Sequence, residues 1–260
     1  MTPTAALADN RLSDAIRLQS DIVNQNGDAA GRLFLVELLA VAGDYPNAWR
    51  HLNAIESHDE EWPRSRRHFR RMLKLLSLRR RGLVPQFLSV PAQHAKYRRL
   101  LQRAVHREET RNIVRLLDRA DDRSPYLIGH VDGREFEGLR DADDRFGSVL
   151  EAFVEGEYVS IPLEQIRRIV IAPAVNLLDR AVRAVTIRLV SKEEFGAMVP
   201  LTYPAHYELP DEDSLALGLD TDRCEEHGGI TTARGGKLLL TEAEEVFLGE
   251  CQQIDVRVGE

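Results

Sequence analysis

The sequence predicts an α+β protein in which helices come first and strands follow, on three observations. Apolar residues recur with a period near 3.6 through residues 1–123, and after Ser124-Pro125 that period shortens toward 2. Two strand–turn–strand signatures, closed by Asp132-Gly133 and Glu155-Gly156, then imply an antiparallel sheet or small barrel. At roughly 150 residues per domain the chain of 260 divides into two compact units. The change of period sets their extents: a tetratricopeptide-like helical-hairpin domain over 1–123, and a mixed, mainly antiparallel β domain over 124–260.

The first apolar face, Ala6, Leu7, Leu12, Ala15, Ile16 and Ile22, reads as one helix broken at residues 24–28. A second helix runs from Ala29 through Leu33, Val36, Leu38, Leu39 and Ala40 to Gly43. A third opens at Pro46, a residue suited to the first helical position, and carries Ala48, Trp49, Leu52 and Ile55. At an interval of 33, Ala15 aligns with Ala48, Leu12 with Tyr45 and Leu7 with Ala40. Small residues at that interval mark the crossings of stacked helix pairs. Next, Phe69, Met72, Leu73 and Leu76 form one face of a helix whose other faces carry Arg66, Arg67, Arg70, Arg71 and Lys74, ended by Gly82 and Pro85. Arginines then stand at every fourth position: Arg99, Arg103, Arg107, Arg111, Arg115, Arg119 and Arg123. On one continuous helix they form a slowly turning ridge, solvated and locally paired with Glu108, Glu109 and Asp118.

The strands expected are 126–131 with 134–136, 149–154 with 158–161, 166–171, 182–190 and 237–240. A helix over 241–250, with Thr241 and Glu244 as a capping box, is expected to follow the last of them. Residues 204–236, rich in Pro, Gly and Asp, read as a long surface loop.

Charge is strongly divided along the chain. Residues 1–63 hold four Lys/Arg against ten Asp/Glu, residues 64–115 hold sixteen against two, and residues 116–260 hold fifteen against thirty, for a net charge of −7. Such polarity implies a charged binding surface or internal pairing of the basic segment with the acidic half. No apolar stretch has the roughly 20 residues that span a bilayer, and the expected location is the cytoplasm. The two cysteines, Cys224 and Cys251, form no CxxC pair, so a disulfide framework and a multi-cysteine zinc site are both excluded.

Motifs for catalysis are absent. There is no phosphate loop, no HExxH and no GxSxG. Cys224 and His227 have the spacing of a metal half-site with no second half nearby. The conspicuous polar cluster is LRDADDR, with Asp141, Asp143 and Asp144. Three carboxylates this close serve either to bind a divalent cation or to cap a turn and pair with Arg140 and Arg145. The absence of a calcium-loop spacing favours the second role.

Three blocks carry a family resemblance: RLFLVELLAVAGDYPNAWRHL (Arg32 to Leu52), GHVDGREFEGLRDADDRFGSVLEAFVEGEYVSIP (Gly129 to Pro162) and VPLTYP (Val199 to Pro204). Together they resemble the ImpE family, also called TagJ or SciE-type, the virulence-associated accessory components of bacterial type VI secretion systems. The family-motif residues are Asp132, Gly133, Asp141, Asp143 and Asp144. The resemblance implies a non-enzymatic cytoplasmic adaptor with no cofactor and no metal. Its implied partner is the small subunit of the contractile sheath, held through a helix of that subunit, with a link to the ATPase that disassembles contracted sheaths. Helical hairpins can offer an apolar groove with charged rims to such a helix. Leu38, Trp49 and Phe69 are the candidate anchors, and Arg66, Arg70 and Arg71 the candidate rim charges. The alternative is nucleic-acid binding by the basic helices of 64–123, which the scarcity of aromatics there and the net acidity of the chain oppose.

Overall fold

The computed structural model describes residues 1–26, 28–89, 92–107, 109, 112–204, 212–226 and 229–259. Five helices open the chain: α1 (Pro3–Ala8), α2 (Leu12–Asn26), α3 (Ala29–Val41), α4 (Tyr45–Asn53) and α5 (Trp62–Arg80), each packing on the next. The apolar face expected as a single first helix is split between α1 and α2, because Asn10 takes a left-handed backbone conformation (φ 58°). Asp28 and Asp44 cap α3 and α4 by accepting from Gly31 N and Asn47 N. The 33-residue interval is visible in the packing. Ala15 is the fourth residue of α2 and Ala48 the fourth of α4, and both are fully buried.

A short strand, β1 (Gln86–Phe87), leads to α6 (Gln93–His106) and α7 (Ile113–Asp121), which pack on each other. The helix break between them corrects the continuous arginine ridge. Arg99 and Arg103 lie on α6 and Arg107 caps its end, while Arg115 and Arg119 lie on α7. Glu108, Arg111 and His227 lie outside the described residues.

Strands follow: β2 (Leu127–Val131), β3 (Arg134–Glu137), β4 (Arg140–Asp141), β5 (Val149–Val154), β6 (Glu157–Pro162), β7 (Ile166–Ile171), β8 (Val182–Leu189) and β9 (Glu194–Pro200). After a single helical turn, α8 (Asp213–Ala216), come β10 (Thr221–Glu226), β11 (Ile230–Gly235), β12 (Leu238–Leu240), β13 (Glu245–Phe247) and β14 (Gln253–Val258). Nine strands form the main sheet in the order β1-β6-β5-β9-β8-β7-β14-β2-β3, antiparallel except where β1 runs parallel to β6. Both expected hairpins form. Asp132-Gly133 (φ 50° and 81°) and Glu155-Gly156 (φ 50° and 85°) supply the two successive positive φ angles that match the twist of the paired strands.

Two further expectations are corrected. Residues 204–236 are not one long loop: α8 and the β10–β11 hairpin occupy much of that stretch. The helix expected over 241–250 is instead β13 followed by a 3-10 turn at Leu248–Glu250. Thr241 Oγ1 does accept from Glu244 N at 2.9 Å, but Glu244 O in turn accepts from Thr241, which closes a turn between β12 and β13 where a helix would have begun.

The sheet separates two apolar cores by strand alternation. Leu150 and Ala152 of β5, Val159 and Ile161 of β6, and Val185, Ile187 and Leu189 of β8 face a core closed by Leu239, Val246, Leu248 and Cys251. Phe153, Tyr158 and Val182 point the other way and join a core made by α1–α5, with Leu35, Leu38, Leu52 and Leu73.

Candidate functional site

The polar motif of the sequence lies in the seam between helices and sheet. Asp141, Asp143 and Asp144 are all buried, and each meets a cation. Asp141 accepts from Lys237 Nζ at 2.8 Å, from the Tyr203 hydroxyl at 2.6 Å and from Asp143 N at 2.9 Å. Asp143 takes the Arg145 guanidinium through both oxygens, at 2.9 Å and 2.5 Å, and also accepts from Ala233 N at 2.9 Å. Asp144 pairs with Arg140 and accepts from Thr231 N at 2.6 Å, tying the motif to β11. The turn-and-pair arrangement with Arg140 and Arg145 is therefore what the motif builds. Among the described residues no group of His, Cys, Asp and Glu side chains is arranged to hold a metal ion.

Residues that the sequence did not single out complete the network. Glu151 points from the middle of β5 toward α5 and accepts both Arg79 Nε at 2.7 Å and Nη2 at 2.5 Å. Tyr158 donates to the same carboxylate, and Lys237 Nζ lies 2.9 Å from it while also sitting 4.0 Å from the centre of the Phe146 ring. Arg79 donates in addition to Thr202 O at 2.9 Å. At the centre of the network Arg79, Arg145 and Lys237 face Asp141, Asp143 and Glu151, while buried Asp144 pairs with half-buried Arg140 and buried Arg98 with Asp121. Balance matters here, because each ion loses several kcal/mol of hydration on burial and only dense, well-directed pairing offsets that.

The environment acts in opposite directions on two of these carboxyls. Burial pushes the Glu151 carboxyl up, but the charges of Arg79 and Lys237 more than offset it and hold it down at about 2. At Asp141 burial wins: its carboxyl stands above the ordinary value although Lys237 draws it down, with the Asp143 charge adding to the rise. Burial and Asp141 likewise push the Tyr203 hydroxyl far up, so it stays a donor. These groups are fixed as partners of one another and leave no acid or base poised toward solvent.

The motif also holds α6. Buried Arg98 donates to Asp144 O and to Asp121, and Gln102 Nε2 donates to Arg145 O at 3.1 Å. Gly147, at φ 54°, gives Arg98 its room: a Cβ there would stand 2.5 Å from the guanidinium carbon.

The residues expected to bind a partner do not form one surface. Leu38 is fully buried in the helical core, and Phe69 is half-buried against it. Arg71 lies over the β5–β6 turn, where a Cβ on Gly156 would meet its guanidinium. The other three come together on the α4–α5 face. Trp49, 37% exposed, has the Arg70 guanidinium 5.8 Å from its ring centre. Arg70 Nε donates to Asn53 Oδ1 at 3.1 Å, and Arg66 Nη2 to Asn53 O at 3.0 Å. Neither arginine meets a carboxylate among the described residues. An exposed indole with two braced guanidiniums has the composition in which interface hot spots concentrate.

The signal for Glu151 was present in the sequence. A lone carboxylate inside the apolar strand VLEAFV is either an error of assignment or one half of a buried pair. Arg79 carried no such signal, since it stands in a run of three arginines.

Comparison with known proteins bears on the same residues. The family described as "ImpE protein" matches residues 133–255, a stretch that contains the aspartate motif, Glu151 and Lys237. Across 252 residues, 94% of this chain and 87% of the other, the sequence is 28% identical to a Pseudomonas aeruginosa protein named "Type VI secretion system accessory component TagJ". Over residues 133–255 the chain is similar to the ImpE family, and over nearly its whole length to TagJ. The ImpE match begins inside the first hairpin, so the helices α1–α7 lie outside it while the long relative covers them. The crystal structure of protein VPA1032 from Vibrio parahaemolyticus has the same fold, with a TM-score of 0.86 over 99% of this chain and 98% of that one at 22% identity. No helix among the described residues is long and apolar enough to cross a membrane.

Proposed function

We propose that this chain is an ImpE-family accessory component of a bacterial type VI secretion system, acting in the cytoplasm by binding proteins and not by turnover chemistry. The observation that carries the reading is the similarity to TagJ, which runs through both the helices and the sheet and is not confined to one motif. The buried aspartate cluster supports it, because every carboxylate that could serve an active site there is consumed by a structural cation.

The partner we assign is the small subunit of the contractile sheath, taken as an amphipathic helix on the α4–α5 face. Trp49 is the anchor and Arg66 and Arg70 are the flanking charges. On this reading Leu38 and Phe69 shape the face from beneath, and Arg71 braces the β5–β6 turn. Coupling to the ATPase that disassembles contracted sheaths would follow from holding the sheath subunit. Two units, 1–123 and 124–260, divide the work: the first meets the partner, and the second fixes the position of the first through Arg79 and Arg98.

Calorimetric titration of the full chain with the purified small sheath subunit, at about 150 mM and 500 mM salt, tests the reading. Saturable heat that Trp49→Ala weakens is expected, with a modest loss of affinity at the higher salt. Absence of heat and of co-elution at either salt would refute the partner.

A further inference from the structure

Between α6 and the segment that precedes it lies an open cleft of about 650 Å³, lined by Leu83, Gln86, Phe87, Arg99, Arg103 and Arg107 among others. It shares no residue with the α4–α5 face and is not used by the function proposed above. Its charge is not neutralised from within. Neither Arg99 nor Arg103 meets a carboxylate among the described residues, and Arg107 has only Glu109 at 3.6 Å, both side chains being exposed. Arg99 Nε is buried with no hydrogen-bond partner. Burial, and then the neighbouring Arg103, push the Arg99 guanidinium below its ordinary value, as expected of like charges crowded without a counter-ion. In a chain of net charge −7, this concentration of cations, with Glu109 the one carboxylate near them among the described residues, is local and directed.

Spacing narrows the ligand. Arginines four residues apart on a helix rise by about 6 Å. In an extended peptide, side chains on one face recur every second residue, about 6.6–6.8 Å apart. Exposed Leu83 adds an apolar contact at the mouth of the cleft. We propose that this cleft binds an extended acidic peptide segment of a partner protein, whose carboxylates at alternate positions pair in turn with Arg99, Arg103 and Arg107.

Single-stranded nucleic acid has matching charge but relies on free aromatic faces for stacking. The aromatic faces here are taken. Arg99 sits 5.0 Å over Phe87, and Arg119 and Arg123 sit 5.8 Å and 5.4 Å over Tyr97.

Fluorescence anisotropy of the full chain with a labelled peptide of alternating Glu and Ser, at about 150 mM salt, tests the proposal. Saturable binding is expected, weakened about tenfold or more in Arg99→Gln/Arg103→Gln. Arg64→Gln/Arg67→Gln, at exposed positions outside the cleft, should leave it unchanged. Arg103→Glu, a reversal on an exposed side chain, should also weaken binding, which keeps the test independent of any folding effect at Arg99. No binding, equal losses in the two double variants, or tighter Arg103-dependent binding of a single-stranded oligonucleotide of equal charge would each overturn it.

Discussion

Arg70 and Arg79 stand on the same helix, α5, about two and a half turns apart and therefore on opposite faces. Arg79 is 4% exposed, and its donors are consumed by Glu151 and Thr202 O. Arg70 is exposed, rests on Trp49 and Asn53, and meets no carboxylate among the described residues. The side chains are chemically identical and their surroundings decide the role. A guanidinium whose partners are built into the fold holds helix to sheet, and one braced by an indole and an amide stays on the surface, where we propose that it meets another molecule.

The largest effect is expected at the buried end of α5. Glu151→Ala leaves Arg79 without its counter-charge and Lys237 with only Asp141, and should cost about 3–5 kcal/mol of unfolding free energy in urea titrations. Replacing both partners, as Arg79→Met with Glu151→Leu, should recover most of that, because the penalty is for an unpaired buried charge and not for the missing bond. A loss below about 0.5 kcal/mol for Glu151→Ala would mean that the seam is wet and the pair is ornamental.

Leucine and tryptophan on the helical side sharpen the same contrast. Leu38→Ala removes a fully buried side chain and should cost about 2–5 kcal/mol. Trp49→Ala should cost less than about 1 kcal/mol of stability while weakening the sheath subunit by about tenfold or more. Equal effects of the two substitutions on binding would return Leu38 to the partner surface.

Acid titration separates the pair from the background. With its carboxyl held near 2 against an ordinary 4.5, Glu151 binds its proton less readily in the folded chain than in the unfolded one. Its contribution is therefore complete above pH 4.5 and is lost as pH falls from there toward 2. Asp141, whose carboxyl is raised, has the opposite slope: it favours the folded chain below its ordinary 3.8 and gives that up as pH rises through its folded value. Unfolding free energy should consequently fall more steeply below pH 4.5 in the natural protein than in Glu151→Gln, as followed by urea midpoints at each pH. The smallest effect is expected at the first hairpin. Asp132 accepts from Gln252 N and Gln253 N at 2.9 Å and 2.7 Å, and Asp132→Ala should lower stability by about 1 kcal/mol in a thermal melt, with binding unchanged.

Local chemistry was legible in the sequence and distant pairing was not. Asp132-Gly133 and Glu155-Gly156 specify their hairpins within four residues, and Asp28 and Asp44 specify helix starts within one turn. Thr241 misled for the same reason: its hydroxyl caps a backbone N–H in a turn as readily as in a helix, and only the pairing of Leu239 with Val246 decides between them. The stretch 204–236 read as loop because the β10 sequence TDRCEE has Cys224 as its single apolar residue and lacks apolar alternation. The aspartate motif was found, but Arg79, Glu151 and Lys237 reach it from far along the chain, and a single sequence carries no record of such contacts. On the proposed partner surface, periodicity placed Leu38 and Trp49 alike on apolar faces, and only the neighbouring helices show that one is covered and the other is not.

The division of labour on α5 is tested most directly by hydrogen–deuterium exchange of the full chain with and without the small sheath subunit. New protection should be confined to residues 49–70, with α5 beyond Met72 and strand β5 already slow to exchange and unchanged. Protection centred on the sheet, or on β5 and its partners with none at 49–70, would contradict it.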